Sequence, residues 1–371
     1  PCPPNLLHFH LTFFYYAPSR ATNESFSVPV STGAGAGMII SRTPYRVSFF
    51  GGGTDYPAWY RDHGGAVLAA AIARYCYITC RWLPPFFGHK SRIVYSLIEN
   101  VARTEDIQHP AVRECLLELG IRDGIEIHHD GDLPKMTGLG TSSSFTVGLL
   151  HALHELCGES RTPMQLATEA IHVERDRCGD RVGSQDQVSA AFGSLNHIRF
   201  APDGSIAVQP VPLPAPRMQA FQDSLLLFFT GFSRYSSEVV AEQLQNVPQK
   251  GRELAEMAAM VDQGLRLLTG DGDLADFGRL LHEGWRLKRS LSARVSTPEI
   301  DAMYAAARKA GALGGKVTGA GGGGFLLLFV EPDRQPAVRQ ALGHLLHVPF
   351  DLDHAGSQII FSNPIPLEPP P

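Results

Sequence analysis

Three glycine-rich segments carry many of the polar residues in this sequence that could act on a phosphorylated substrate. They lie at residues 49–56, 134–144 and 316–324. Glycine has no Cβ, so the backbone of such a segment can curl and approach a bound group closely. Each segment also contains a hydroxyl, carboxylate or basic side chain, and these groups bind and orient phosphate and alcohol oxygens.

The segment at 134–144 is the most informative of the three. Four hydroxyl residues follow Gly138-Leu139-Gly140, and the residues after them are apolar at helical spacing. The free N–H groups and the positive dipole end of a helix attract phosphate. Ordinary N-capping is the alternative interpretation, but a cap needs only one hydroxyl. The pattern therefore predicts a phosphate-binding loop at the start of a helix.

Two common nucleotide-binding motifs are excluded by their neighbours in the sequence. A Walker A loop needs Gly-Lys followed by Ser or Thr, whereas Gly315-Lys316 is followed by Val317. Residues 319–324 satisfy a GxGxxG pattern only because they are almost all glycine, and they precede a strand rather than a helix.

The surrounding elements alternate irregularly between strand and helix. Strands are predicted at 39–50, 69–82, 124–130, 193–200, 206–211, 224–229, 325–330 and 357–361, and helices at 142–156, 162–177, 236–246, 252–268, 274–287, 298–310 and 334–346. The proline-rich stretch at 210–216 is predicted to be a linker. This order is neither a regular βα alternation nor all-β, and it favours an α+β protein of two domains.

The length of 371 residues also favours two domains, which we place at 38–211 and 212–371. Residues 1–37 show no helical or strand period that continues beyond Met38, and the glycines at 33–37 are typical of a flexible joint. We expect residues 1–37 to be an N-terminal extension that is disordered or derived from cloning or from an upstream start.

Composition excludes several classes of protein. The net charge of −5, the pI of about 6.3 and the scattered basic residues are unlike a nucleic-acid binder. No apolar stretch approaches the ~20 residues of a membrane span. The six cysteines form no CxxC pair, and Cys76 and Cys80 would lie about 13 Å apart along a strand. We therefore expect free thiols and a cytoplasmic protein that binds neither membrane nor nucleic acid.

Taken together, the three segments resemble the GHMP kinase superfamily of galactokinase, homoserine kinase and mevalonate kinase. The resemblance runs from Met38 to Phe361, and residues 134–144 match the family's Pro-x-x-x-Gly-Leu-Gly-Ser-Ser-Ser loop except at Thr141. It implies an α+β, two-domain GHMP kinase fold that uses ATP and Mg²⁺. The ATP-binding residues that it implies are Pro134, Gly138, Leu139, Gly140, Thr141, Ser142, Ser143 and Ser144.

The resemblance also implies catalytic and metal-binding residues. Arg46 takes the place of the family's cation near the transferred phosphoryl group, and Asp186 matches the aspartate that accepts the hydroxyl proton. Ser142 matches the Mg²⁺-binding serine, with Glu174 as its partner. The alternatives are a surface arginine, an aspartate that interacts with a helix dipole and a glutamate in an exposed salt bridge.

Asp55 matches the aspartate that binds sugar hydroxyls, with a turn-forming role as the alternative. Galactokinases have Glu-His where this chain has Gly52-Gly53, which argues against galactose. The two basic residues Arg234 and Lys288 would bind a phosphate already present on the sugar, or would simply be exposed charges. The full set of predicted substrate-binding residues is Gly52, Gly53, Thr54, Asp55, Gly183, Gly321, Gly322, Arg234 and Lys288.

Within the superfamily, the chain resembles the bacterial D-glycero-D-manno-heptose 7-phosphate kinases first. The resemblance includes residues 42–46 and 50–55, and the spacing of three residues that separates His282, Trp285 and Lys288 from one another. The implied reaction is ATP-dependent phosphorylation of the anomeric C1 hydroxyl of this heptose phosphate, for nucleotide-activated heptose synthesis. A fucokinase-like enzyme, an octose kinase, a catalytically silent sugar- or ATP-binding relative, and a homodimer all stay open. A decarboxylase on this fold is disfavoured by the sugar motif.

Overall fold

The computed structural model describes residues 14–16, 37–232 and 236–363. The strands among these residues are β1 Phe14–Tyr16, β2 Met38–Phe50, β3 Gly65–Trp82, β4 Ser91–Val94, β5 Ile98–Val101, β6 Ile125–Gly131, β7 Leu195–Phe200, β8 Ile206–Pro210, β9 Leu225–Phe229, β10 Gly314–Val317, β11 Phe325–Phe329, β12 Leu346–His347 and β13 Gln358–Asn363. The helices are α1 Pro57–His63, α2 Pro110–Glu118, α3 Thr141–Leu156, α4 Pro163–His172, α5 Gln185–Phe192, α6 Ala215–Asp223, α7 Ser236–Asn246, α8 Gly251–Thr269, α9 Ala275–Ser290, α10 Pro298–Lys309 and α11 Gln335–Ala341.

Strands β2 and β3 are the long central strands of a nine-stranded sheet. β3 has 18 residues, and its first part pairs with β7 while its second part pairs with β6. The second part alternates buried and half-buried side chains, as expected for a strand with one face on a core. β2 pairs with β3 along nearly its whole length and ends at Phe50. The first glycine-rich segment therefore emerges directly from the centre of this sheet.

Helix α3 packs closely on β2, and this packing fixes the position of its first turn. The Ser41 hydroxyl donates to the Gly148 carbonyl over 2.8 Å. A Cβ built on Gly148 would lie 2.7 Å from Thr43 Oγ1, so a larger residue would push the helix off the sheet. The start of α3 is tied to the same strand, because the Arg46 N–H donates to the Leu139 carbonyl over 3.0 Å.

A second, antiparallel sheet has the order β10-β11-β9-β12. β10 leads into the third glycine-rich segment. A cluster of phenylalanines joins this sheet to the end of β2: the Phe49 ring lies 5.4 Å from Phe221 and 5.5 Å from Phe277, and Phe277 lies 6.0 Å from Phe329. These rings are fully buried, so the two sheets share a continuous apolar core.

The last described strand, β13, belongs to the first sheet. β13 pairs with β2, with Gln358 opposite Arg42, so the region 212–371 contributes one strand to the sheet of the region 38–211. Of residues 1–37, the structure describes Phe14–Tyr16 and Gly37. Phe14–Tyr16 pairs with β8 at the edge of the first sheet, a contact that the sequence did not predict.

Helices α3, α4 and α7–α11 lie where the periodicity predicted them, although α11 is shorter and α4 ends at His172, where a π-helical turn follows. Four helices were missed, namely α1, α2, α5 and α6. Three of them, α1, α2 and α6, have proline in the first turn, where its missing N–H is harmless and its fixed φ suits the helix. The proline-rich stretch predicted to be a linker therefore leads into α6.

Cys76 and Cys80 are buried on β3 as free thiols, as the strand pattern predicted. Among the described residues, we find no helix that combines the length and the apolar character needed to cross a membrane.

Candidate active site

The three glycine-rich segments meet around one cavity of about 650 Å³ that lies between the two sheets. Segment 49–56 contributes Gly52, Gly53, Asp55 and Tyr56 to its wall. The other two segments contribute Pro134, Lys135, Met136, Gly138, Gly140, Thr141, Ser142, Ser143, Lys316, Thr318, Gly319, Ala320, Gly321 and Gly323. Segments that are far apart in the sequence thus line one site.

The predicted phosphate loop wraps around the start of α3. Gly138 and Gly140 have φ angles of 77° and 73°, in the left-handed region that favours glycine. A Cβ on Gly138 would lie 2.4 Å from the Thr318 carbonyl oxygen, so the loop packs directly against the third segment. Thr141 begins α3, which leaves the N–H groups of its first turn at the cavity.

Two residues predicted to bind ATP have side chains that do not line the cavity. The Leu139 side chain is fully buried in the core, although its backbone belongs to the loop. The Ser144 hydroxyl is buried and donates to the Pro44 carbonyl over 2.8 Å, because successive helical residues point about 100° apart and Ser144 faces the sheet.

Arg46 and Asp186 form a bidentate ion pair on the cavity wall. Arg46 Nε and Nη2 lie 2.8 and 2.7 Å from the two carboxylate oxygens of Asp186. Arg46 Nη1 also donates to the Gly138 carbonyl over 2.7 Å. Arg46 is buried, whereas a quarter of the Asp186 side chain remains exposed. The geometry therefore connects the predicted catalytic pair to the phosphate loop.

Glu174 is fully buried behind the first turn of α3, on a π-helical turn, Val173–Arg177, that follows α4. The structure places Ser143, rather than the predicted Ser142, against Glu174: Ser143 Oγ donates to Glu174 Oε2 over 2.9 Å. Gln187 Nε2 donates to the same oxygen over 2.5 Å. Ser142 is exposed on the cavity side, since it lies about 100° further back on the helix.

The other carboxylate oxygen of Glu174, Oε1, is buried without a hydrogen-bond partner. Burial raises the pKa of Glu174 to about 7, while the nearby Thr146 hydroxyl and the hydrogen bonds from Gln187 and Ser143 oppose the rise. A buried carboxylate oxygen beside serine hydroxyls is suited to a hard, oxygen-preferring cation such as Mg²⁺. The described residues contain no cluster of three or more His, Cys, Asp or Glu ligands, so phosphate oxygens and water would have to complete such a site.

Asp55 is also buried, and only one of its two carboxylate oxygens accepts a hydrogen bond. Its Oδ1 accepts the Gly53 N–H over 2.9 Å, and its Oδ2 has no partner. Burial raises the pKa of its carboxyl group, opposed first by the Gly53 hydrogen bond. A Cβ on Gly183 would lie 1.9 Å from Oδ2, so this glycine leaves the space that the carboxylate occupies. Ser48 Oγ and Gln185 Oε1 are two more buried, unpartnered polar atoms beside the same cavity.

Two predicted substrate contacts lie outside the cavity wall. The Thr54 hydroxyl is buried and donates to the carbonyls of Gly51 and Ala66, at 2.8 and 2.9 Å, so it closes the turn rather than facing a ligand. The Gly322 N–H donates to the Val295 carbonyl over 2.8 Å. Gly321 does line the cavity, whereas Arg234 lies outside the described residues.

Lys288 lines the same cavity as the phosphate loop, and it is buried rather than an exposed charge. Lys316, Ser48, Gln185 and Gln187 were not predicted as site residues. Lys316 was considered only as a failed Walker A lysine, and its place at the start of the third segment was the signal that could have revealed it. Ser48 and Gln185 flank predicted residues closely in sequence, but nothing local distinguishes them from ordinary polar positions.

One end of the cavity is aromatic. His109 stacks on Phe145 at 4.8 Å between ring centroids, and Tyr95 and His129 meet these rings edge-on. All four residues line the cavity. Burial lowers the pKa of both histidines, which favours neutral rings at this end. A flat heteroaromatic group would pack well there.

Comparison with known proteins agrees with this geometry. Residues 100–194 match the GHMP kinases N terminal domain, and residues 263–347 match the GHMP kinases C terminal model. The first match contains the phosphate loop with Glu174 and Asp186, and the second contains Lys288 and the third glycine-rich segment. The chain therefore belongs to the GHMP kinases, a class of ATP-dependent phosphotransferases.

Individual relatives share most of their length with this chain. A D-glycero-alpha-D-manno-heptose 7-phosphate kinase of Campylobacter jejuni is 25% identical over 327 residues, which are 82% of this chain and 93% of the relative. A galactokinase of Pyrococcus furiosus is 26% identical over 342 residues, 82% of this chain and 92% of the relative. The crystal structure of a D-glycero-D-manno-heptose 1-phosphate kinase from Bacteroides thetaiotaomicron superposes with a TM-score of 0.70 at 25% identity, covering 86% of this chain and 97% of that one.

Proposed function

We propose that this protein is a sugar kinase that transfers the γ-phosphoryl group of ATP to the anomeric C1 hydroxyl of D-glycero-D-manno-heptose 7-phosphate. The observation that carries the reaction type is the Arg46–Asp186 pair, which is held on the cavity wall and bonded to the phosphate loop. The sugar phosphate rests on the similarity to heptose phosphate kinases and on the cations of the cavity.

The nucleotide would bind along the phosphate loop. The N–H groups at the start of α3 and the hydroxyls of Thr141 and Ser142 face the cavity and would hold phosphate oxygens. The aromatic end formed by Tyr95, His109 and Phe145 would take the adenine ring. Pro134, which also lines the wall, would border the nucleotide.

Asp186 would act as the general base and Arg46 as the stabilising cation. One carboxylate oxygen of Asp186 would take the proton of the attacking C1 hydroxyl as the new O–P bond forms. The guanidinium of Arg46 would orient this carboxylate through its two hydrogen bonds and offset the charge on the transferred phosphoryl group. Because Arg46 also bonds the Gly138 carbonyl, base, cation and phosphate loop form one rigid unit.

Glu174 and Ser143 fit a Mg²⁺ site next to this unit, with Ser142 as a further hydroxyl at the cavity. Bound Mg²⁺ would neutralise charge on the phosphate oxygens of the nucleotide. Glu174 would meet the metal ion with its unpartnered oxygen Oε1. Ser143 and Gln187 hold the carboxylate in place through hydrogen bonds to the other oxygen, Oε2.

The sugar would lie against Asp55. Its unpartnered Oδ2 and Gln185 Oε1 can accept hydrogen bonds from sugar hydroxyls, and Ser48 Oγ can donate or accept one. Gly52 and Gly53 leave open the space that side chains occupy in galactokinases, which suits a longer sugar. The Lys288 ammonium lies 4.0 Å from where a Cβ of Gly53 would be, so a cation borders that space.

A comparison of acceptors tests this function. ADP release should be measured with heptose 7-phosphate, free heptose, L-fucose and galactose at saturating ATP. We expect the highest kcat/KM with heptose 7-phosphate. A preference for L-fucose would favour a fucokinase-like enzyme, and no ADP release with any sugar would favour a silent binding protein.

A further inference from the structure

Lys316 is a buried basic residue in the cavity wall, and none of the proposed catalytic or binding roles involves it. It lies on β10, is 6% exposed and lines the cavity. Its ammonium group donates to the Phe49 carbonyl over 3.3 Å, which is long for a charge-assisted hydrogen bond. Within residues 37–232 and 236–363, no carboxylate lies within 4.0 Å of its Nζ atom.

Lys288 on α9 repeats this arrangement from another element. It is 5% exposed, and its ammonium group donates to the Gly52 carbonyl over 3.3 Å and to Gln243 Oε1 over 3.5 Å. The part of the chain that the structure describes offers it no carboxylate within 4.0 Å either. Each ammonium has three N–H donors, so both lysines retain donors that these long contacts do not use well.

When both lysines are protonated, the charged groups around them leave the site positive. Arg46 is neutralised by Asp186, and Asp55 is the carboxylate whose charge acts on both lysines. Burial lowers the pKa of Lys288 to about 8 and that of Lys316 to about 7, and the positive charges of Lys288 and Arg46 contribute to the effect on Lys316. Two ammonium groups facing one carboxylate are costly to bury without a further anion.

We propose that Lys316 and Lys288 together form a phosphate-binding site in the cavity. The choice of substrate rests on the proposed function, since the bound dianion would be the phosphate that the sugar already carries. The γ-phosphoryl group of ATP is the other source of the same chemistry, because Arg46 borders both lysines. A purely structural contact with the carbonyls of Phe49 and Gly52 could be made by a neutral hydroxyl or amide, so it does not explain why both positions carry a lysine.

The experiment compares Lys316→Met and Lys288→Met with the wild type. KM and kcat are measured for heptose 7-phosphate, for free heptose and for ATP. Lys309→Met is the matched control, because Lys309 is exposed at the end of α10 and lies outside the cavity. We expect Lys316→Met to raise the KM for heptose 7-phosphate by about 10–150-fold, as for one lost charge-assisted bond. The KM for free heptose and ATP should change less than about threefold.

The outcomes distinguish a site for the sugar phosphate, a site for the γ-phosphoryl group and a purely structural contact. A higher ATP KM, or a kcat reduced equally with both sugars, assigns the two lysines to the γ-phosphoryl group instead. Unchanged constants for all substrates, in a folded variant, show that Lys316 makes a purely structural contact and overturn the site. If the wild type phosphorylates no sugar phosphate, the proposed function fails, and the effect on the ATP KM still decides whether the lysines bind phosphate.

The pH dependence of the wild type gives a second test that needs no variant. Both ammonium groups must be protonated to bind the dianion, and Asp55, Arg46 and Asp186 are the charged groups around them. The KM for heptose 7-phosphate should therefore rise as pH increases from about 7 to 9, while the KM for free heptose stays level. Parallel pH profiles for the two sugars would overturn the proposal.

Discussion

Three carboxylates of the cavity wall, those of Asp186, Glu174 and Asp55, differ in how many of their oxygens accept hydrogen bonds from the protein. At the phosphate loop, both oxygens of Asp186 accept hydrogen bonds from Arg46. Deeper in the site, Glu174 and Asp55 each have one bonded oxygen and one buried oxygen with no partner. The first region is preorganised without any ligand, whereas the second is incomplete until a ligand arrives.

This difference explains why the two regions are held by different means. The Arg46–Asp186 pair is fixed by charge and by the backbone of Gly138. Glu174 and Asp55 are fixed by neutral donors, and burial raises the pKa of both carboxyl groups. Buried carboxylates that are left incomplete destabilise the empty protein, so they mark positions where binding energy is gained.

The largest effect on activity is expected from a substitution in the Arg46–Asp186 pair, whose carboxylate oxygens are both hydrogen-bonded. Asp186→Asn keeps the shape of the side chain but cannot accept the hydroxyl proton. Turnover should fall by about 10²–10⁴-fold, with little change in the ATP KM. Steady-state kinetics with Asp62→Asn, an exposed position on α1, serve as the control. Turnover close to that of the wild type would remove Asp186 from the mechanism.

Gly183→Ala tests the incomplete region on the sugar side. The added Cβ would meet Asp55 Oδ2 at 1.9 Å, and the carboxylate, as the end of a side chain, would have to turn away. The KM for the sugar should rise by up to about 10²-fold because a hydroxyl contact is misplaced, while the ATP KM stays level. An unchanged sugar KM, measured with a thermal midpoint to confirm folding, would show that Asp55 does not contact the sugar.

Glu174→Gln tests the incomplete region on the metal side. The substitution removes the charge and retains the shape of the side chain. The Mg²⁺ concentration for half-maximal activity should rise about 10-fold or more, while activity at saturating Mg²⁺ is affected less. A Mg²⁺ titration that superposes on that of the wild type would exclude Glu174 as a ligand.

The pH dependence of the Mg²⁺ requirement also distinguishes Glu174 from Asp186. The pKa of Glu174 is raised to about 7, so its neutral form predominates below that pH, and a metal ion must displace the proton. The half-maximal Mg²⁺ concentration should therefore rise by up to about 10-fold for each pH unit below 7. Glu174→Gln should lose this slope, whereas Asp186→Asn should retain it.

The smallest effect is expected far from both regions. A protein that begins at Met38 lacks Phe14–Tyr16, which adds three residues to the edge of the first sheet beside β8. We expect the thermal midpoint to change by only about 1–2 °C, because three residues at the edge of a sheet add few interstrand hydrogen bonds. Turnover should be unchanged. A large loss of either quantity, measured by thermal melts and kinetics, would make residues 1–37 part of the fold.

Much of the fold followed from local patterns in the sequence. The strand β2 and the helices α3, α4 and α7 were predictable because apolar periodicity is a local property. The missed helices α1, α2 and α6 show the limit, since proline reads as a breaker although it is favoured in a first turn.

The family and the candidate site residues, among them Gly138, Arg46 and Asp186, could be recognised from residue types and their spacing. Which of these side chains face the cavity became clear only from the packing of the elements. In the folded protein, Ser143 rather than Ser142 bonds Glu174, the Thr54 hydroxyl bonds backbone carbonyls, and the Lys316 ammonium group contacts the end of β2. The physical reason is that residue type and spacing are local, whereas orientation within a helix turn and contacts across 267 residues depend on how the elements pack.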